Sequence, residues 1–150
     1  MQVRKEDDQK TVNDVIQVLL VDDHALVRRG LKAILESYPN VRVVGDVGDG
    51  RQALDAVRTL RPQLVVMDLN MPVMDGITAT ARIKQEYPDT IVVGLSVNPS
   101  KENRDAVLKA GAIELIAKEA ALEHLYDTIV MALKVSKADR RLCSAIGETA

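Results

Sequence analysis

Leu64-Val65-Val66-Met67-Asp68-Leu69-Asn70-Met71-Pro72-Val73-Met74-Asp75-Gly76 is the stretch on which the fold turns. Its first four residues are continuously apolar, which suits a strand covered on both faces better than a strand with one wet face. A carboxylate closes the run. Pro72 then marks a loop, and Asp75-Gly76 reads as a helix start. A buried strand ending in an acid and followed by a loop and a helix is one βα unit of a parallel sheet.

The unit recurs on both sides of this stretch. Further apolar runs are Val18-Leu19-Leu20-Val21, Val41-Arg42-Val43-Val44-Gly45, Ile91-Val92-Val93-Gly94-Leu95 and Ile113-Glu114-Leu115-Ile116. Segments of helical spacing separate them. The expected apolar stripes are Leu26, Arg29/Gly30, Ala33, Ile34 and Leu35 in 25–37, and Ala53, Leu54, Val57 and Leu60 in 51–60. In 76–87 the stripe is Ile77, Ala81, Ile83 and Tyr87; in 102–110 it is Ala106, Val107 and Ala110. In 121–135 it is Leu122, Leu125, Ile129, Ala132 and Leu133. Pro39, Pro62 and Pro88 each stop a helix just ahead of a strand, because proline cannot continue the hydrogen-bond ladder. Five strands and five helices in strict alternation imply an α/β fold, an open doubly wound parallel sheet with helices on both faces. The expected limits are a polar arm over 1–15, one domain over 16–136 and a tail or linker over 137–150.

Composition narrows the function. The 150 residues are 47% hydrophobic and 28% charged, with no Trp, no Phe and three Tyr, so the core must be aliphatic. A net charge of −2 offers no strongly basic face, and stacking aromatics are scarce, so the chain alone is not expected to bind nucleic acid. Cys143 is the single cysteine, which fits a reducing compartment. No run approaches the roughly 20 apolar residues of a membrane span. The cytoplasm is the expected location.

In open α/β sheets, ligands bind outside the carboxyl ends of the strands. There the sequence collects Asp22-Asp23, Asp68, Ser96 and Lys118. With strand order 2-1-3-4-5, Asp68 lies centrally, between the acidic doublet and the Ser96/Lys118 side. Like charges about 5 Å apart repel by roughly 3 kcal/mol at an effective dielectric near 20, so a purely structural role does not favour the cluster. A hard divalent cation reverses the sign, and Mg²⁺ prefers such oxygen donors. Asp23 and Asp68 are candidate direct ligands, Asp22 a ligand through water, and the Asn70 backbone carbonyl is within chain reach. A carboxylate beside Mg²⁺ is also a nucleophile toward phosphorus. Lys118 and Ser96 would then hold phosphoryl oxygens.

The motifs VLLVDDH (18–24), VVMDLNMPVMDG (65–76), GLS (94–96) and LIAK (115–118) resemble those of receiver domains of two-component response regulators, over roughly residues 17–135. The separations agree as well: 46 residues from Asp22 to Asp68, 28 on to Ser96 and 22 on to Lys118. The resemblance implies a flavodoxin-like sheet and a phosphoryl acceptor, Asp68, served by a sensor histidine kinase or phosphotransfer protein. It implies that Asp22 and Asp23 form the Mg²⁺ pocket, that Ser96 moves toward the phosphate and that Lys118 pairs with it. Partner binding or a homodimer would read out the switch. Catalysis would be limited to the domain's own phosphorylation and dephosphorylation. DDHALVRRGLKAIL is most similar to the NarL/FixJ subfamily, so the chain also reads as the regulatory part of a DNA-binding transcription factor; a non-phosphorylated binding module is the other alternative.

Leu115 stands where many receivers carry an aromatic switch residue, and Glu119 where many carry proline. His24 is read as a rim residue at a helix start rather than a ligand. Asn70 and Asn98 are candidates to set the lifetime of the phosphate. Arg28-Arg29 and Arg140-Arg141 are read as solvated faces.

Overall fold

The computed structural model describes residues 15–149, with side chains described through residue 138. The arm expected over 1–15 lies outside the described residues except for Val15, as do the side chains of Arg140, Arg141 and Cys143. Five strands alternate with five helices in chain order: β1 (Ile16–Val21), α1 (Ala25–Glu36), β2 (Val41–Val47), α2 (Gly50–Leu60), β3 (Leu64–Asp68), α3 (Gly76–Glu86), β4 (Ile91–Ser96), α4 (Lys101–Ala110), β5 (Glu114–Ala117) and α5 (Lys118–Thr149). The sheet is wholly parallel, in the order β2-β1-β3-β4-β5. This is the expected doubly wound fold, with β3 at its centre.

Every residue of β3 and β4 is buried, whereas the edge strand β2 alternates toward solvent. Successive side chains of a strand point to opposite faces, and two aliphatic cores result. One gathers Val18, Leu20, Val66 and Val93 beneath α1 and α5; the other gathers Leu19, Val65, Met67 and Val92 beneath α2, α3 and α4. Leu115 belongs to the second core at 4% exposure, and its register partner is Gly94, where an added Cβ would meet Leu115 at 3.0 Å. An aliphatic side chain thus fills the position where an aromatic was the family norm.

The helix ends follow local chemistry. Asp49, Asp75 and Ser100 sit at the N-caps of α2, α3 and α4, and each accepts a hydrogen bond from an N–H in the first turn. Asp75 therefore starts a helix, as its sequence context suggested.

Several apolar assignments need correction. Leu26 is 80% and Leu122 55% exposed, and Ala33 and Ala81 also face solvent. The buried face of α1 is the i, i+4 row Leu31–Leu35 flanked by Val27, and α3 buries Ala79, Thr80 and Ile83. Lys118 opens α5 rather than closing β5. The helix also runs past residue 136 to Thr149, so the stretch expected as a tail continues α5. Between Lys118 and Ile146 the sequence holds neither glycine nor proline, and nothing local ends the helix there.

Candidate functional site

The chain leaves β1 at Val21, and the Asp22 N–H donates to the Val47 carbonyl at 3.1 Å, tying the β1–α1 loop to the end of β2. Arg28, one turn into α1, reaches back over this loop. Its guanidinium donates to the Asp22 carbonyl, and its Nε lies 3.1 Å from Asp46 Oδ1. With a side chain only 20% exposed, Arg28 is a brace for the acidic loop and not the solvated residue its neighbour Arg29 is. The missed signal was Asp46, an acid at the end of the adjacent strand.

Asp22 Oδ1 accepts from the His24 N–H at 2.8 Å. His24 itself takes the N-cap of α1 without a side-chain capping bond, so the acidic doublet does not cap the helix. The carboxylate of Asp22 is free to face the pocket, and the residue is 1% exposed.

Asp68, also 1% exposed, closes β3 in register with Leu95. Its Oδ1 accepts from the Asn70 N–H at 3.2 Å, and its Oδ2 accepts from Lys118 Nζ at 3.0 Å. The same ammonium lies 2.8 Å from Asp22 Oδ2. That second contact is an ion pair without a directed hydrogen bond. One lysine from the first turn of α5 thus bridges two buried carboxylates that are 46 residues apart in sequence.

Burial pushes the Asp68 carboxyl up to about 6; the Lys118 hydrogen bond opposes this and the Asp22 charge adds to it. Burial pulls Lys118 down, but its contacts with Asp22 and Asp68 outweigh that and raise it above 10.5. Lys118 is therefore charged at neutral pH, and Asp68 is ionised above about pH 6.

Ser96 is fully buried at the end of β4, in register with Ala117 and next in the strand after Leu95, the partner of Asp68. Its Oγ accepts from the Asn98 N–H at 3.0 Å, and the Asn103 side chain holds the Asn98 carbonyl at 2.9 Å. Asn70 is exposed, and its observed contact is through its amide rather than through its carbonyl. Gly76 closes the loop above β3, where an added Cβ would lie 2.0 Å from the Asp68 carbonyl oxygen, so no other residue fits. Val73, at the tip of the same loop, is 78% exposed and holds φ at +68°.

Asp22, Asp23, His24 and Asp68 each offer one donor atom, and these atoms all lie within 4.8 Å of one another. Three carboxylates around one point suit a hard divalent cation such as Mg²⁺. The buried Asp22 Oδ2, which accepts no directed hydrogen bond, marks a donor with capacity to spare.

The sequence pattern of the response regulator receiver domain matches residues 18–130. The chain is 38% identical over 114 residues to the transcriptional regulatory protein DegU of Brevibacillus brevis, covering 76% of this chain and 48% of DegU. The chain spans between about a quarter and just over half of the curated relatives it matches. Among solved structures, the response regulator domain of Thermotoga maritima CheB superposes with a TM-score of 0.75 at 31% identity, covering 80% of this chain and 97% of that one. The signal receiver domain of the response regulator NarL from Mycobacterium tuberculosis gives 0.75 at 27% identity, covering 83% and 98%. With this sheet order, these motifs and an acidic pocket bridged by a buried lysine, the chain belongs to the response regulator receiver domain family.

Proposed function

We propose that Asp68 accepts a phosphoryl group from a phosphohistidine on a sensor histidine kinase or phosphotransfer protein. The observation that carries this reading is the bridge from Lys118 Nζ to Asp68 Oδ2 and Asp22 Oδ2. The Asp68 carboxylate needs no general base, because it is already ionised above about pH 6. Its oxygen forms the new bond to phosphorus as the phosphorus–nitrogen bond of the donor breaks, and the leaving imidazole takes up a proton. Asp23, Asp68 and the Asn70 carbonyl would hold Mg²⁺, with Asp22 behind them. When bound, the ion would neutralise phosphoryl oxygens as charge builds on them. Lys118 would hold another oxygen once the acid it now pairs with has become an acyl phosphate.

Ser96 supplies the response. Its oxygen accepts from Asn98, while its proton is available to a phosphoryl oxygen. Moving the hydroxyl would pull on the β4–α4 loop and bias a two-state equilibrium on the β4–α4–β5–α5 face. Leu115 makes that transmission one of aliphatic repacking. A cavity of about 300 Å³ beside Lys118, lined by Leu26, Leu31, Leu95 and Leu122, supports docking of the phosphodonor between α1 and α5. The exposure of Leu26 and Leu122 suits that role.

Catalysis is confined to the domain's own phosphorylation and dephosphorylation. No described helix is long and apolar enough to cross a membrane, and a cytoplasmic setting fits the single cysteine. The name of the relative DegU supports placing the chain in transcription control, as the regulatory part of a longer factor. Incubation with acetyl phosphate and Mg²⁺ should add one phosphoryl group by intact mass, and Asp68→Asn should abolish it. A wild-type protein that stays unmodified and ignores beryllofluoride would overturn the reading.

A further inference from the structure

We propose that Arg28 is a positioning residue for phosphoryl transfer to Asp68, and that it works by holding the main chain of Asp22 against the end of β2. The inference rests on the phospho-acceptor reading above and adds to it an edge strand that supplies no pocket side chain. The Arg28 guanidinium donates to the Asp22 carbonyl, while its Nε lies 3.1 Å from Asp46 Oδ1. The Asp22 N–H donates to the Val47 carbonyl at 3.1 Å. Both main-chain polar groups of Asp22 are thus referenced to residues 46 and 47.

The anchor is itself fixed. The Gly48 N–H donates to Gln52 Oε1 at 3.0 Å, and Asp49 Oδ1 accepts from the Gln52 N–H at 2.8 Å. The Gly50 N–H donates to the Met74 carbonyl at 3.2 Å, and a Cβ on Gly50 would lie 2.6 Å from that oxygen. Met74 belongs to the loop between Asp68 and α3. The turn 46–50 therefore grips both loops that flank the nucleophile, the acidic one through Arg28 and Val47 and the other through Gly50.

Such a frame has a task. Asp22, Asp23 and Asp68 repel one another when no cation is bound, and that repulsion acts to spread the loops. Lys118 restrains the side chains of Asp22 and Asp68. Arg28 restrains the main chain of Asp22. Its planar fork reaches a carbonyl and a carboxylate at once, which the point charge of a lysine does not reproduce. Charge and positioning predict opposite signs for Arg28→Met. That change adds one net negative charge beside the pocket, so through charge alone it would tighten Mg²⁺ binding. Through lost positioning it would weaken Mg²⁺ binding and slow transfer.

The test compares wild type, Arg28→Met, Arg28→Lys, Asp46→Ala and the Arg28→Met/Asp46→Ala pair, all as full chains. By calorimetry, Arg28→Met should bind Mg²⁺ at least about tenfold more weakly. Labelling of Asp68 by acetyl phosphate at saturating Mg²⁺ should slow by at least about tenfold. In the metal-free protein the Asp22 amide should exchange its hydrogen at least about tenfold faster. Arg28→Lys should fall between Arg28→Met and wild type. The double variant should lie within about twofold of Arg28→Met, because Asp46 acts through Arg28. Asp46→Ala should speed Asp22 amide exchange by about threefold or more, which keeps the test decisive if Arg28→Met does not fold. Unchanged or tighter Mg²⁺ binding by folded Arg28→Met, full recovery in Arg28→Lys, additive losses in the double variant or an unchanged Asp22 amide would overturn the proposal and leave the phospho-acceptor reading intact. A wild-type protein that acetyl phosphate never labels would overturn both.

Discussion

At the amino ends of the strands, Tyr38 and Tyr126 stack with ring centroids 3.7 Å apart, and the Tyr126 hydroxyl donates to Asn40 Oδ1. The Arg61 guanidinium lies 4.6 Å from the centre of the Tyr87 ring, and Lys84 Nζ donates to the carbonyls of Pro88 and Thr90. At the carboxyl ends, Asp22 and Asp68 are buried around one lysine, a third acid stands beside them, and Val73 holds a positive φ. The first end satisfies its polar groups with neutral or cationic partners and aromatic faces. The second keeps like charges together and has donors left over. One sheet therefore divides its work: one end secures the fold, and the other gathers acids whose mutual repulsion a bound cation would relieve.

The sharpest way to break this contrast is Lys118→Met. Removing one partner of a buried pair costs roughly 3–5 kcal/mol. Urea unfolding of the metal-free protein should register a loss of that order, and Mg²⁺ should recover part of it.

A reverse effect is expected from Asp68→Asn. Its folded-state value near 6 lies above the unfolded value near 3.8, so the native state holds the proton more tightly between them. Stability of the metal-free protein should fall as pH rises through that window. The asparagine variant should lack the fall and gain up to about 3 kcal/mol near pH 7.5. A flat wild-type profile between pH 4 and about 6, measured by urea denaturation, would contradict the account of Asp68 as a carboxylate strained first by burial and then by the Asp22 charge.

At the quiet end, Tyr126→Leu should cost about 1–2 kcal/mol through the lost ring stacking and hydrogen bond, and leave Mg²⁺ affinity unchanged. A matching drop in Mg²⁺ affinity would mean that the two ends are coupled. The smallest effect belongs to Val73→Asn. Relief of a β-branched residue at positive φ should stabilise the protein by about 1 kcal/mol, read as a raised thermal midpoint.

Much of this architecture was open to a reader of the sequence. The five runs and their alternation with helical segments carry the sheet, because strand burial and helix spacing are local patterns. The residues at the run ends carry the pocket, because an acid after a buried strand has few structural reasons to be there. What escaped was orientation. Leu26 and Leu122 look like core residues by spacing, yet face solvent beside the cavity near Lys118. Arg28 looked solvated and braces the acidic loop. His24 looked like a helix-start residue alone, and its ring lies against the doublet.

The sequence by itself determined the strand and helix pattern, the aliphatic core and the identity of the charged residues at the strand ends, since each is written in neighbouring residues. Only the tertiary structure decided that Lys118 reaches both Asp22 and Asp68, that Arg28 spans to Asp46 and that His24 faces the carboxylates. Those contacts join segments whose spacing along the chain says nothing of angle. The rotation of each helix against the sheet, set by packing, selects which of its side chains meet.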